Sequence, residues 1–176
     1  MTIDRQGRIW TSHRVSGLAT ARLRAEPPQM GDLIERPRGD HDLQLSPMQP
    51  IDEAAAKAAA VLVPIVAREA EEEIGLERRH VEPLGYLDAY LTGTGYRVVP
   101  VVALVAPAFS LTLNPVEVDE VFEVPLDFLM DPANHQRHGR EFRGVWRTFY
   151  AMPHGDNYIW GATAGMIRNL FERMAG

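Results

Sequence analysis

The sequence predicts an α/β or α+β fold, a layered sandwich of mixed strands with two or three helices, and three observations carry that prediction. Apolar runs bounded by Gly and Pro recur between residues 81 and 160, the pattern of short strands joined by turns. An acidic segment, 67–74, is built of helix formers and stops at Gly75. The C-terminal stretch Ala162–Met174 repeats Met166, Ile167, Leu170, Phe171 and Met174 at three- and four-residue spacing, as an amphipathic helix covering a sheet requires.

Residues 1–50 are rich in Arg, Pro, Gly and Asp and lack sustained periodicity, so a partly irregular arm is expected there, with the domain proper at 51–176. Within the arm, Val15–Leu23 is suited to a short helix and Pro27 to Pro50 to loop. Residues 52–60, Asp-Glu-Ala-Ala-Ala-Lys-Ala-Ala-Ala, are strong helix formers. They run into Val61-Leu62-Val63-Pro64-Ile65-Val66, a β-branched run that reads as a buried strand. A proline inside a continuous helix would cost about 3 kcal/mol. The segment 67–74 reads as helix, and Gly75 stands where a left-handed cap is wanted.

Val81–Leu91 and Tyr96–Val105 flank Thr92-Gly93-Thr94-Gly95 and predict a hairpin. An isolated Gly-x-Gly between strands is read as a turn and not as a phosphate cradle. Phe109–Leu113 and Val121–Val124 are expected as short strands, and Pro125–Leu129 as a helical turn. Phe142–Met152 and Tyr158–Trp160 form a second hairpin around His154-Gly155-Asp156-Asn157. Trp146, Phe149 and Tyr150 are read as strand packing, and Trp160 either as packing or as a pocket wall. His135 and His138 have i, i+3 spacing but no third ligand nearby, so a surface loop is preferred to a metal site. Arg36, Arg38 and Arg97 are read as solvated surface arginines in preference to phosphate contacts.

Composition narrows the function classes. The 176-residue chain has a net charge of −6, which disfavours sequence-independent binding to nucleic acid. A small anionic substrate stays open, since one bound divalent cation reverses the local field. No cysteine is present, which excludes disulfides, thiolate metal sites and cysteine nucleophiles and fits a reducing compartment. Residues 1–10 lack an apolar signal-peptide core, and the apolar runs Ala58–Ala67 and Val98–Ala108 are too short to span a bilayer, so a cytoplasmic location without membrane contact is expected. Ser46, Ser110 and the histidines form no nucleophile-elbow pattern.

The chemistry concentrates in the acidic segment. On a helix, Glu69, Glu72 and Glu73 fall within an arc of roughly 100°, and Arg68 lies one turn before Glu72. Carboxylates on one arc repel, and a hard divalent cation removes that repulsion. Mg2+ favours a few carboxylates together with phosphate oxygens and water. Such a site polarises a diphosphate and positions a nucleophilic water. A solvated acidic face is the competing reading of the same composition.

Residue order separates the two readings. Arg68-Glu69-Ala70-Glu71-Glu72-Glu73-Ile74-Gly75-Leu76 resembles the second half of the metal-binding signature of the Nudix hydrolase superfamily at every specified position. The segments Glu82–Val101, Asn114–Leu126 and Ile159–Ala164 are similar to the coenzyme A diphosphatase branch of that superfamily, and the resemblance covers about residues 58–175. It implies a Nudix-type α/β/α sandwich with a mixed sheet. It further implies Mg2+- or Mn2+-dependent cleavage of a small nucleoside diphosphate linked to another group, with coenzyme A or a derivative as the expected substrate. Glu69, Glu72 and Glu73 would hold metal, Glu69 and Glu72 with Arg68 would form the catalytic set, and a loop carboxylate, Glu117 or Glu120, would assist.

The first half of the signature does not match. Its glycine and glutamate positions, fourteen and eight residues before the arginine, hold Ala54 and Ala60. Only Ala67 separates the strand-like run from Arg68, where connections usually take two or more residues. A true deletion, a chain joined across a longer segment, and a kinked helix over 52–74 each account for this junction. The alternative to an active hydrolase is therefore a catalytically impaired Nudix-fold module with a binding or association role. A plain interaction domain with an acidic helix is the third reading. A strand edge bared by a deletion would favour pairing of two chains, so a homodimer is the association to look for.

Overall fold

The computed structural model describes residues 2–3, 9–10, 19, 21–29, 38–39, 57–59, 73–105, 110–142 and 144–175, four of these segments (2–3, 9–10, 38–39 and 57–59) by backbone alone. The strands in chain order are β1 (Thr2–Ile3), β2 (Ile9–Trp10), β3 (Arg38–Gly39), β4 (Lys57–Ala59), β5 (Val81–Tyr86), β6 (Tyr90–Leu91), β7 (Tyr96–Val98), β8 (Val101–Val105), β9 (Gln136–Phe142), β10 (Val145–His154) and β11 (Asn157–Trp160). Helix α1 spans Leu126–Leu129 and α2 spans Gly161–Ala175. Strands and helices mix as an α/β fold demands.

The expected first hairpin forms, but each arm is broken in two. β5 pairs antiparallel with β8 and β6 with β7, while Leu87–Ala89 and Val99–Pro100 leave the ladder. The turn closes as predicted, with Gly95 N donating to Thr92 O at 3.0 Å and Thr92 N to Tyr96 O at 2.9 Å. Gly85, at φ +155, lets the arm come close: a Cβ there would lie 2.7 Å from Leu23 Cβ and 2.9 Å from Arg24 O. Arg24 and Tyr86 exchange backbone hydrogen bonds of 3.0 and 2.8 Å across that contact. Helical Ala19, Ala21 and Arg22 lie within the expected short helix.

Three expectations are corrected. Lys57–Ala59 is a strand running parallel to β7, with Ala58 opposite Arg97 and Ala59 opposite Val98. Alanine's helix propensity is a weak preference, and a row of backbone partners on β7 overrides it here. This strand also rules out a kinked helix through those three residues. Residues 110–113 and 121–124 are not strands. Their β-propensity meets no ladder partner, and the amides of Thr112 and Asn114 are spent on helical carbonyls instead. Gln136–Phe142, read in part as surface loop, is a seven-residue strand paired along β10 from Val145↔Phe142 to Ala151↔Gln136. Val61–Val66, Arg36, Phe109 and the junction at Ala67 lie outside the described residues.

Helix α2 ties the layers together. Ala164, Met166 and Ile167 join Tyr90, Val98, Met152 and Ile159 in one buried cluster, and Leu170 and Met174 join Leu87, Val102 and Met130 in a second. Its apolar stripe was legible in the sequence because it faces these two clusters in succession.

Candidate active site

The signature helix reaches its end at Glu73 and Ile74, both helical, with Gly75 at φ +70 behind them. This is the left-handed cap that the sequence calls for. The last turn of a helix leaves carbonyls without intrahelical donors, and here the segment 110–118 supplies them. Thr112 N donates to Ile74 O at 2.9 Å and Asn114 N to Glu73 O at 2.7 Å. Leu76, 1% exposed, anchors the exit of the helix in the interior.

Asn114 also organises the turn immediately after it. Its carbonyl accepts from Glu117 N at 3.1 Å and from Val118 N at 2.9 Å. Its side-chain Oδ1 accepts from Val116 N at 3.1 Å. The turn carrying Glu117 is thus fastened, through one residue, to the backbone of Glu73. Glu73 is half-buried, while Glu117 and Glu120 are exposed. Sequence reading missed the part played by Asn114, although Asn-Pro is a turn-initiating pair.

The position of Glu73 has an electrostatic consequence. The C-terminal end of a helix carries partial negative charge, and an anion there is disfavoured by a few tenths of a kcal/mol or more. The run Glu71-Glu72-Glu73 ends on that pole, and the segment facing it contributes further carboxylates and no Lys or Arg between Ser110 and Val124. A donor set of this kind fits a hard divalent cation. Arg68, Glu69 and Glu72 lie outside the described residues. Among the described residues no group of three or more His, Asp or Glu is placed to hold a metal ion.

The lesser candidates resolve into structural roles. His135, expected in a surface loop, is buried at 8% exposure. Its Nε2 donates to Leu129 O at 2.8 Å, which leaves Nδ1 to accept from Arg168 Nη1 at 3.3 Å. Burial lowers its pKa, and the Arg168 charge adds to that against the carbonyl of Leu129, so the ring stays neutral at pH 7. His138 lies on β9 and bonds Tyr158 Oη at 2.5 Å and Gln136 Oε1 at 2.9 Å. The two imidazoles therefore have separate partners, not a shared metal. Arg97, read as a surface arginine, is only 9% exposed and donates to Pro28 O at 2.5 Å and Gln29 O at 3.3 Å. Trp146, Phe149 and Tyr150 stand on β10, and Trp160 packs on Phe149 with ring centroids 5.4 Å apart.

No family model matches the chain. Comparison with curated proteins does find relatives, several described as "Uncharacterized Nudix hydrolase NudL". One from Photorhabdus laumondii is 34% identical over 113 residues, covering 64% of this chain and 60% of the relative. One from Enterobacter sp. strain 638 is 35% identical over 116 residues, 63% of this chain and 58% of the relative. One from Escherichia coli K12 is 35% identical over 125 residues, 68% of this chain and 60% of the relative. The chain is thus similar to Nudix hydrolases over about two thirds of its own length. Its mix of strands and helices agrees with that similarity. The chain spans about three fifths of the length of the curated relatives it matches. No helix among the described residues is long and apolar enough to cross a membrane.

The cap at the end of the signature helix yields a direct prediction. Gly75→Ala puts a Cβ 3.1 Å from Thr112 N in a left-handed backbone. We expect a loss of about 1–2 kcal/mol in urea unfolding. A variant as stable as the parent would show that this contact does not constrain the helix end.

Proposed function

We propose that the chain is a hydrolase of small nucleoside diphosphate-linked compounds, with coenzyme A or a derivative as substrate and Mg2+ or Mn2+ as cofactor. One observation supports this most: the fastening of the turn that carries Glu117, by its backbone, to Glu73 O through Asn114. Glu69, Glu72 and Glu73 would hold the cation, with Glu117 as the loop carboxylate. A bound divalent cation supplies Lewis-acid polarisation of the diphosphate and acidifies a coordinated water. Glu69 and Glu72 are the residues of this chain suited to accept a proton from the attacking water. Arg68, one helical turn before Glu72, is placed by spacing to orient it. Asn114 and Gly75 are positioning residues, holding the helix end and the turn in register. The resemblance implies a water, not a side chain, as the nucleophile.

A second reading is favoured by Ala54 and Ala60 at the missing signature positions. There the chain is a catalytically impaired Nudix module with a binding or association role. The assay that separates them uses the mass-verified chain and coenzyme A. Release of an adenosine diphosphate fragment that requires Mg2+ or Mn2+ supports the hydrolase. Stabilisation by coenzyme A that ignores both metals, without turnover, establishes the module instead. The lack of cysteine and the chemistry of the site favour a cytoplasmic protein acting on a small molecule.

A further inference from the structure

The exposed large apolar side chains fall into two patches of opposite charge. Leu111, Leu113, Val116, Val121 and Phe122 lie along the acidic segment, and Phe142, Val145, Trp146, Tyr158 and Trp160 lie on β9–β11, with Tyr96 the one elsewhere among the described residues. Val116 is 90% exposed and Val145 48%.

The strand patch has a defined face, and Trp146, opposite Glu141 and on the same side of β10 as Met152, is not part of it. Register sets Val145 opposite Phe142, Arg147 opposite Arg140, Phe149 opposite His138 and Pro153 opposite Tyr158, on the side turned away from Met152 and Ile159. Arg140 sits 4.8 Å over the Trp160 ring and Arg147 5.2 Å over Phe142. Like charges directly across a strand pair are destabilising, so this face carries two cations that an anionic partner would relieve. The acidic segment has the opposite surplus: Glu117, Asp119, Glu120 and Glu123 with no cation between Ser110 and Val124. Exposed apolar surface with charge of opposite sign on two patches of one chain allows a two-fold pairing with a second copy. Each patch meets the other patch of the second copy, and both contacts form at once.

The geometry points to a homodimer in which the Asp119–Glu123 segment of one copy docks, through Val121 and Phe122, on the β9–β11 face of its partner between Arg140 and Arg147. Its test is separate from that of the diphosphate reading, since none of the substituted residues is Glu73, Glu117 or Glu120.

Sedimentation equilibrium of the full chain tests it. The parent chain is expected to dimerise at about 10–100 µM, the range of modest protein interfaces. The dimer weakens in about 1 M NaCl, where charges are screened beyond roughly 3 Å. R140E/R147E and D119R/E123R are each expected to be monomeric, because both contacts then carry like charges. Mixed in equal amounts, the two variants restore both contacts and form a 1:1 heterodimer. Circular dichroism verifies folding; should a reversal fail to fold, R140Q/R147Q and D119N/E123Q serve instead, each raising the dissociation constant about tenfold. A monomeric parent chain overturns the proposal, as does a dimer indifferent to both patches, or two reversed variants that ignore each other.

Discussion

Glu73→Gln is expected to lower metal-dependent turnover of coenzyme A by about a hundredfold or more, while leaving the chain as stable as the parent or slightly more so. The size follows from the contribution of a metal ligand. Several kcal/mol of transition-state charge stabilisation depend on the cation, and each 1.36 kcal/mol is a factor of ten in rate. The isosteric amide keeps the volume of Glu73 and the hydrogen bond from Asn114 N to its carbonyl, which is a backbone contact. It removes one negative charge from the negative end of the helix, where an anion is disfavoured. Loss of activity with retained or increased stability is thus the signature of a group kept for function. Titration with Mn2+ checks the cause: the variant should need more metal to reach half its maximal rate. If Glu73→Gln turns over coenzyme A like the parent, Glu73 is not a ligand and the site must be sought elsewhere. Unchanged metal dependence with reduced stability would instead make it a structural residue.

The legible parts of this fold are those whose stabilising partner is local or periodic. Helix α2 announced itself because its stripe, Met166 to Met174, packs on the two buried clusters, so spacing and burial coincide. The turn at Thr92–Gly95 and the cap at Gly75 were legible because each needs a particular residue type in a left-handed or tight conformation. β9 was not legible: Gln-Arg-His-Gly-Arg-Glu-Phe has no apolar alternation, and its strand state comes from the ladder with β10. The reverse error at Leu111–Leu113 has the same source. Those residues favour a strand, but their amides cap a helix. For the site, sequence order alone picked out the signature helix, because its chemistry is carried by consecutive residues. The tether through Asn114 joins positions 73 and 114, and no local pattern encodes such a pairing. The described residues reach the signature helix only at Glu73 and Ile74, so the roles of Glu69 and Glu72 rest on residue order.

A half-buried polar network that sequence reading did not anticipate gives the second large effect. Asp88, between β5 and β6, accepts from Arg173 Nε at 3.1 Å and from Asn169 Nδ2 at 3.0 Å, and also bonds Arg173 Nη2. Arg24 of the arm lies 3.5 Å away, and Asp88 N donates to Asn169 Oδ1 at 3.3 Å. Arg22 adds a bond to Met174 O at 3.2 Å, so one carboxylate sits where the arm, the hairpin and the end of α2 meet. Burial alone would raise the pKa of Asp88, but the hydrogen bonds from Arg173 and Asn169 and the charges of Arg173 and Arg24 outweigh it and hold the carboxyl below its ordinary value of 3.8. A carboxyl depressed on folding contributes stability above its unfolded pKa, and that contribution is lost as pH falls through the lower, folded value. The parent chain should therefore lose part of its stability only below about pH 4, on the acid side of the unfolded value. Asp88→Ala leaves Arg173 and Asn169 without their acceptor. Because Asp88 and Arg173 keep 20% and 37% side-chain exposure, the cost is set at that of charge-assisted hydrogen bonds, about 2–3 kcal/mol, and not at that of a fully buried ion pair. Thermal unfolding of a chain this size then shifts by about 4–10 °C. Measured at pH 7 and at pH 3, the difference between parent and variant should narrow at the lower pH. An equal difference at both would assign the effect to lost packing and sink the electrostatic account. Removal of the arm's share alone, by Arg24→Gln, should cost well under 1 kcal/mol, since Arg24 is 41% exposed and its ion pair is screened by solvent.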